Sequence, residues 1–342
     1  MTMSKHHFLK KALSWTAAGA GLAAYVYYQN YHVKQTNYYV ESPIFTEDLN
    51  GYRIAQISDL HYPEQRVSLD DILNRIDEMK PNLIVMTGDN LAKSIKGFDE
   101  KEWYAFATAL TQMAPTYAVS GENDLVNPLG RQAEQMLTKA GATYLNDEAV
   151  TLTAHGTPFV LMGLMEKPTK RFLKGNALQF IHLTPEQQSL PKLLLAHHPE
   201  AFLRYHEDIT KSPDLVFSGH AHGGEIRVPH FGGIKAKNQG TLPKYTDGVF
   251  HIPGSPNKQM VISTGIAHGE LPIRLNNCPE IVNVVLTDSR QSLSDNLQQA
   301  VETETALDGG YTVTRLQNDY EERKRAKYQQ HSQESVEETE SY

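Results

Sequence analysis

The most informative segment lies near the middle of the chain and reads Leu215-Val216-Phe217-Ser218-Gly219-His220-Ala221-His222-Gly223-Gly224. Its first four residues are a short apolar run of the kind that forms a buried strand. The two histidines that follow stand in a glycine-lined turn, where both imidazoles can reach into one cavity without steric hindrance from neighbouring side chains. The segment therefore predicts a strand that presents two histidines at its carboxyl end.

Short apolar runs of the same kind recur on both sides of this segment. They predict eight strands in all, at residues 53–58, 83–87, 116–120, 159–162, 192–196, 215–218, 260–263 and 281–285. Apolar residues at helical spacing predict helices between them, one from its N-cap Ser68 to Pro81 and others at about 101–113 and 129–140. Strands that alternate with helices predict an α/β domain with layers packed around largely buried sheets.

Five of the predicted strands run directly into Asp, Glu or His. These strand ends carry Asp59 with His61, Asp89, Gly121-Glu122-Asn123-Asp124, His197-His198, and His220 with His222. Ligand sites in α/β sheets collect at the carboxyl ends of the strands. The positions alone therefore predict that these side chains line one polar site.

Composition limits the classes of protein to which the chain can belong. Of its 342 residues, 40% are hydrophobic and 21% are charged, as in a folded globular protein of one or two domains. A formal net charge of −8 provides no general basic face, so we expect no nucleic-acid partner. The single cysteine, Cys278, excludes an intramolecular disulfide and a Cys-rich zinc module.

The N-terminus differs in character from the middle of the chain. Lys10 and Lys11 precede an uncharged stretch that extends to Gln29, a pattern typical of a signal anchor or a secretory signal. We predict an uncleaved anchor at residues 1–30 that spans the cell membrane once. Because positive residues stay in the cytoplasm, the domain that follows is expected on the extracytoplasmic side. Cleavage near Ala18-Gly19-Ala20 is the main alternative.

The C-terminal segment, residues 289–342, is rich in Gln, Ser, Glu and Lys and has few apolar residues. Such a composition cannot bury enough apolar surface to offset the entropy lost on ordering. We therefore predict a folded domain at residues 31–288, followed by a polar, largely disordered tail.

The ordered motifs at the strand ends resemble those of the calcineurin-like metallophosphoesterase superfamily, which carries Asp-x-His, Gly-Asp, Gly-Asn-His-Asp/Glu, a single His and Gly-His-x-His. The resemblance extends over about residues 52–286. Longer strings, including residues 218–226 and Pro272-Ile273-Arg274, are similar to a branch of membrane-associated bacterial phosphoesterases that includes phosphodiesterases and UDP-2,3-diacylglucosamine hydrolases. The resemblance implies a layered β-sandwich flanked by helices.

The same resemblance implies a centre of two divalent metal ions. In that family two metals about 3.5–4 Å apart clamp a phosphate and activate a hydroxide for in-line attack on phosphorus. Carried over by position, one metal falls to Asp59, His61 and His222, the other to His197 and His220, and Asp89 bridges them. Carboxylates and imidazoles without thiols suit Mn, Fe, Zn, Co or Ni.

One motif departs from the family pattern. Gly121-Glu122-Asn123-Asp124 stands where the family has Gly-Asn-His-Asp. Glu122 thus takes the place of the amide that ligates the second metal, and Asn123 takes the place of the catalytic histidine. Asn123 can donate a hydrogen bond to a phosphate oxygen but cannot supply a proton, and the loss of a general acid costs about 10²–10⁴ in rate.

Four interpretations of this departure remain open. Good leaving groups, which need little protonation, are still hydrolysed, or a nearby imidazole, His198 or His268, replaces the lost acid. Alternatively, the chain binds metal with little turnover, or the register is shifted so that Asn123 is the ligand and Glu122 points away. Because every other ligand position is filled, we expect altered catalysis and not a complete loss.

The sequence thus predicts a membrane-anchored phosphohydrolase that acts on a phosphodiester or a pyrophosphate. A lipid-linked substrate would suit an anchored domain. The membrane is its partner through the N-terminal helix, and a monomer is the default expectation. The alternative is a catalytically impaired metal-binding protein that acts as a binding or scaffold module in the envelope.

Overall fold

Two six-stranded sheets form the framework of the protein in a computed structural model that describes residues 5–167 and 176–288. In chain order the strands are β1 (Lys34–Ser42), β2 (Arg53–Ile57), β3 (Leu83–Thr87), β4 (Thr116–Val119), β5 (Thr143–Tyr144), β6 (Glu148–Ala154), β7 (Thr157–Gly163), β8 (Lys192–Leu195), β9 (Leu215–Ser218), β10 (Arg227–Val228), β11 (Gly232–Gly233), β12 (Lys235–Ala236), β13 (Gly240–Thr241), β14 (Gly248–Ile252), β15 (Ser255–Ile262) and β16 (Glu280–Asp288). The α-helices are α1 (Lys5–Tyr31), α2 (Leu69–Met79), α3 (Glu100–Met113), α4 (Glu122–Val126), α5 (Gly130–Lys139) and α6 (Pro185–Ser189). The predicted tail at residues 289–342 lies outside the described residues.

The direction of the strands explains where the polar motifs meet. The first sheet has the order β1-β16-β2-β3-β4-β5, and the second has the order β14-β15-β9-β8-β7-β6. Strands β2 to β5 are parallel to one another, and so are β7, β8, β9 and β15. Because parallel strands point the same way, the carboxyl ends of each set lie at one edge of its sheet.

The core consists of an apolar layer between the two sheets and further layers on their outer faces. Strand β3 shows how the layers arise, since Leu83 and Val85 face the inter-sheet layer while Ile84 and Met86 pack against the helices. Both faces of the strand are buried, which accounts for its continuous apolar sequence. The structure confirms the prediction of a layered α/β fold with helices on the sheets.

Most of the predicted elements are present with similar bounds. Ser68 is the N-cap of α2, and its Oγ accepts a hydrogen bond from the main-chain nitrogen of Asp71. Strands β1, β6 and β14 were not predicted. All three lie at an edge of a sheet and have alternating or partly exposed residues, so their sequences contain no continuous apolar run.

The N-terminal segment forms one helix, α1, of 27 residues. Within the part of the chain that the structure describes, no helix combines the length and the hydropathy needed to cross a membrane. This finding does not support the predicted membrane-spanning helix. The last turn of α1 contacts the rest of the fold, where Gln29 and Asn30 are buried.

Candidate metal centre

Six of the residues predicted as metal ligands come together at the carboxyl ends of four strands. Asp59 and His61 follow β2, Asp89 follows β3, His197 follows β8, and His220 and His222 follow β9. Each of the six is at most 9% exposed to solvent. The structure therefore places these side chains in one buried cluster, which we call the metal centre.

Five of these six residues have a left-handed main-chain conformation, with φ between 47° and 66°. This conformation costs an L-residue about 1–2 kcal/mol, so surrounding contacts must stabilise it. The main-chain nitrogen of Asp59 donates to the carbonyl oxygen of Gly88 (3.0 Å), and that of His61 donates to the carbonyl oxygen of Asp89 (3.0 Å). The ends of β2 and β3 thus stabilise each other. Backbone strain of this kind clusters at functional sites.

Two overlapping groups of donors share Asp59. One group is Asp59, His61 and His222, the other is Asp59, Asp89 and His197, and in each group the ligand atoms lie within 4.8 Å of one another. Asp89 also reaches both groups, because its Oδ2 lies 3.3 Å from Nε2 of His61 and 3.6 Å from Nε2 of His197. Both carboxylates therefore lie where they can contact two neighbouring cations.

Main-chain carbonyl groups orient two of the imidazoles. His197 donates from Nδ1 to Thr87 (2.8 Å), and His222 donates from Nδ1 to Ala267 (3.0 Å), which leaves both Nε2 atoms facing the carboxylates. Outer partners of this type orient metal-ligating histidines in proteins. Burial lowers the pKa of His222 to about 4 and that of His220 well below its usual range. Both rings are therefore neutral and can offer a lone pair to a cation.

The pKa shifts of His197 and Asp89 show that this part of the centre favours bound positive charge. Burial alone would lower the pKa of His197, but the carboxylate of Asp89, followed by that of Asp59, raises it well above its usual range. Burial also opposes ionisation of Asp89, yet His197 and His61 hold its pKa well below the usual range. Divalent cations can replace the protons on such imidazoles. A buried set of two carboxylates and four imidazoles thus fits divalent metal ions.

The motif that departs from the family pattern places Asn123 beside these donors. Asn123 donates from its main-chain nitrogen to Oδ1 of Asp89 (2.7 Å) and from Nδ2 to Oδ2 of Asp89 (2.8 Å). Glu122 instead pairs with Lys237 and belongs to none of the donor groups found among the described residues. Glu122 thus points away from the donor groups, as the shifted register requires, but Asn123 turns its amide nitrogen and not its oxygen towards Asp89.

A third group of donors, His198, Glu200 and His220, adjoins the metal centre. Nε2 of His198 lies 2.9 Å from Oε2 of Glu166, and Nδ1 lies 3.0 Å from Oε1 of Glu200. Burial by itself lowers the pKa of His198, but the two carboxylates raise it to about 9. Because both ring nitrogens already face carboxylates, this arrangement does not suit His198 as the replacement acid.

Two further residues support the centre, and the sequence assigned neither a role. Asp124 accepts hydrogen bonds from the main-chain nitrogens of Gly121 (2.9 Å) and Leu91 (2.8 Å), so it ties the turn after β4 to the loop after β3. Asn238 lies 3.1 Å from Nε2 of His220. Asp124 stands in a strand-end motif that the sequence placed at the polar site, whereas no sequence signal identifies Asn238.

Comparison with known proteins assigns this centre to a family. A family model described as calcineurin-like phosphoesterase matches residues 52–224, half of the chain, and this range includes all six converging residues predicted as ligands. The chain belongs to the calcineurin-like phosphoesterase family. It is a metal-dependent phosphoesterase, as the resemblance of its strand-end motifs implies.

Three curated proteins are among the relatives of this chain. YkuE, an uncharacterized metallophosphoesterase of Bacillus subtilis, is 28% identical over 296 residues, which cover 82% of this chain and 96% of the relative. The phosphodiesterase YaeI of Escherichia coli is 28% identical over 200 residues, or 55% of this chain and 67% of the relative. The UDP-2,3-diacylglucosamine pyrophosphatase LpxG of Chlamydia muridarum is 25% identical over 283 residues, with 68% of this chain and 83% of the relative covered.

Proposed function

We propose that this phosphoesterase uses two divalent metal ions to hydrolyse a phosphodiester or a pyrophosphate bond. The proposal rests on the overlap of two donor groups at Asp59, with Asp89 reaching both. The names of YaeI, a phosphodiesterase, and LpxG, a pyrophosphatase, support these two substrate classes. Lys+Arg total 32 against 40 for Asp+Glu, which argues against long polynucleotides as substrates.

In this proposal the carboxylates and imidazoles of the metal centre hold metal, and Asn123 contacts the phosphate. Asp59, His61 and His222 would hold one cation, His197 and His220 would hold the other, and Asp89 lies within reach of both. Bound metal ions would neutralise phosphate charge and supply a hydroxide nucleophile near neutral pH. The amide of Asn123, beside Asp89, offers a hydrogen bond to a phosphate oxygen.

Protonation of the leaving group is the step for which Asn123 is unsuited, because an amide has no proton to transfer. A leaving group of low pKa can depart as an anion without help. For other leaving groups, His268 is the remaining imidazole proposed as a donor. It is half-buried and follows Ala267, whose carbonyl oxygen orients His222.

Hydrolysis of bis-p-nitrophenyl phosphate and p-nitrophenyl phosphate by the full-length protein tests the proposal. Activity is measured after chelation and after addition of Mn²⁺, with bound metal determined in parallel. We expect activity to return with Mn²⁺, to be higher on the diester, and to be absent in Asp89→Asn. The matched control is Asp77→Asn, which changes an exposed carboxylate of α2.

A second candidate function is a metal-binding module of the envelope with little turnover. It is favoured by Asn123 at the position of the family's catalytic histidine. Two bound metals per chain, without hydrolysis of either substrate by the wild type or by Asn123→His, would favour this function over the first.

We also propose a lipid-linked substrate, a monomeric state and a location at the outer face of the cell membrane. The name of LpxG refers to a diacylated sugar nucleotide, which supports the substrate. Lys10 and Lys11 before an uncharged stretch support the orientation. Membrane fractionation and protease treatment of intact spheroplasts test the location. The protein should sediment with membranes and be cleaved without lysis.

A further inference from the structure

Arg274 is a buried arginine whose side chain binds only main-chain carbonyl groups in the described contacts. It lies between β15 and β16 and is 1% exposed. Its Nε donates to Ala267 (3.1 Å), its Nη2 donates to Thr264 (2.7 Å) and also to Ala267, and its Nη1 donates to Asn277 (3.4 Å). Within residues 14–167 and 176–288 no carboxylate forms an ion pair with it. Burial of a guanidinium is unfavourable, so an arginine at this position points to a specific task.

The carbonyl group of Ala267 connects Arg274 with the metal centre. The same oxygen accepts the hydrogen bond from Nδ1 of His222 (3.0 Å), and the main-chain nitrogen of Ala267 donates to the carbonyl oxygen of Asp59 (2.9 Å). Nε2 of His222 then lies 3.5 Å from Oδ1 of Asp59. Ala267 thus contacts two members of the half-site formed by Asp59, His61 and His222, and Arg274 donates two hydrogen bonds to its carbonyl oxygen.

The end of α1 holds the main chain of the arginine itself. The side chain of Asn30 accepts a hydrogen bond from the main-chain nitrogen of Arg274 (2.8 Å) and donates one to its carbonyl oxygen (2.9 Å). Oε1 of Gln29 accepts from the main-chain nitrogen of Asn277 (2.8 Å). Asn277 in turn donates from Nδ2 to the carbonyl oxygen of His222 (2.8 Å). Both Gln29 and Asn30 are less than 10% exposed, so water does not compete strongly for these bonds.

We propose that Arg274 is a positioning residue for His222 and that Asn30 connects the N-terminal helix to the same half-site. The series Asn30, Arg274, Ala267, His222 is joined by hydrogen bonds at every step. The last turn of α1 therefore belongs to the support of the metal centre. This inference rests on the proposed two-metal function, since it concerns the affinity of the half-site that contains His222.

Metal binding by full-length variants tests the inference. Arg274→Lys keeps the positive charge but cannot form the forked set of bonds to three carbonyl groups. Asn30→Ala removes both bonds to the main chain of Arg274, whereas Asn30→Asp retains the acceptor. Gln259→Ala is the control, because Gln259 is a buried amide that bonds the carbonyl oxygen of Glu41, away from the metal centre. Each chelated protein is titrated with Mn²⁺ by calorimetry, and kcat and KM are measured at several Mn²⁺ concentrations.

Loss of an outer partner of a metal ligand typically weakens binding by about 10–100-fold. We expect one of the two Mn²⁺ affinities to fall by this factor in Arg274→Lys and in Asn30→Ala, and by less in Asn30→Asp. High Mn²⁺ should restore kcat with little change in KM, which a merely structural defect would not do. Gln259→Ala should bind Mn²⁺ like the wild type.

Unchanged Mn²⁺ affinities in Asn30→Ala and Arg274→Lys would overturn the inference, even if both variants melt at lower temperature. If Arg274→Lys does not fold, the inference is tested by comparing the Mn²⁺ affinities of Asn30→Ala and Asn30→Asp. A wild-type protein that binds no Mn²⁺ would overturn the proposed function as well. Wild-type binding with unaffected variants would overturn this inference alone.

Discussion

Asn123 donates a hydrogen bond to each oxygen of the Asp89 carboxylate, one from its main-chain nitrogen and one from its side-chain amide. The contact fixes the carboxylate that reaches both donor groups of the metal centre. It also places a side chain without a transferable proton where the family has a catalytic histidine. The identity of residue 123 should therefore affect substrates according to their leaving group.

We expect Asn123→His to raise kcat on phosphodiesters with alkyl leaving groups by about 10²-fold or more, since a general acid contributes about 10²–10⁴. The p-nitrophenyl diester, whose leaving group needs little protonation, should gain much less. Steady-state kinetics on both substrates provide the measurement. Asn123→Gln controls for the larger side chain. Equal rates of the His and Gln variants on the alkyl diester would contradict the prediction.

Glu122 pairs with Lys237 at the surface of the site, so we expect Glu122→Gln to leave Mn²⁺ affinity within about twofold of the wild type. A half-exposed ion pair of this kind contributes about 0–1 kcal/mol to stability. Calorimetric titration with Mn²⁺ tests this expectation, with Lys237→Met as the matched variant for loss of the same pair. A loss of affinity in Glu122→Gln alone would identify Glu122 as a ligand.

Gly219 has no room for a side chain. A Cβ atom at this position would lie 1.8 Å from Oγ of Ser58 and 2.4 Å from Oδ2 of Asp59. We expect Gly219→Ala to lower the free energy of unfolding by about 1–3 kcal/mol through overpacking, and to weaken Mn²⁺ binding by displacing Asp59. Urea denaturation and Mn²⁺ titration measure the two effects. Gly19→Ala is the control, because a Cβ there meets nothing within 4 Å. Wild-type behaviour of Gly219→Ala would show that the turn after β9 is not closely packed.

His206 should make the protein less stable in acid. Burial, with a smaller effect of Lys258, lowers its pKa from 6.5 to about 4. A histidine with a depressed pKa contributes stability above pH 6.5, and this contribution is lost as the pH falls from 6.5 towards 4 because the unfolded chain binds the proton first. Since His206 is only partly buried, we expect a loss of about 1–2 kcal/mol between pH 7 and pH 5.

Urea denaturation at pH 7 and pH 5 in the presence of EDTA measures this effect. The wild type should lose stability relative to His206→Gln as the pH is lowered. His251→Gln, at an exposed position of β14, controls for the general loss of an imidazole. An equal response of the wild type and His206→Gln to pH would refute the prediction.

The predictable parts of the fold are those that depend on neighbours in the sequence. Strand β3 was predicted with its bounds because Leu83 to Thr87 are buried on both faces, and α2 because Ser68 caps it. The edge strand β1 was not predicted. It pairs with a strand on one side only, and apart from Val40 its residues are polar or aromatic. The hydrophobic pattern of the sequence is a weak signal for a strand that other elements cover only in part.

The same distinction applies to the metal centre. The six predicted ligands that converge could be predicted together because each follows a strand, and parallel strands bring their ends together. Glu166 was not found, because its only signal is its contact with His198, which lies on another element. The orientation of Glu122 towards Lys237 likewise depends on a loop 115 residues further along the chain.

The sequence by itself determined the alternation of strands and helices, and the chemical nature of the predicted ligands. It also determined their position at the carboxyl ends of the strands, because apolar runs and strand ends are local properties of the chain. Only the tertiary structure decided that Asn123 and not Glu122 faces Asp89. It alone also joined Asn30 to Arg274 across 244 residues. Such contacts depend on how distant segments pack. The residues next to each partner in the sequence do not indicate which distant residue it will contact.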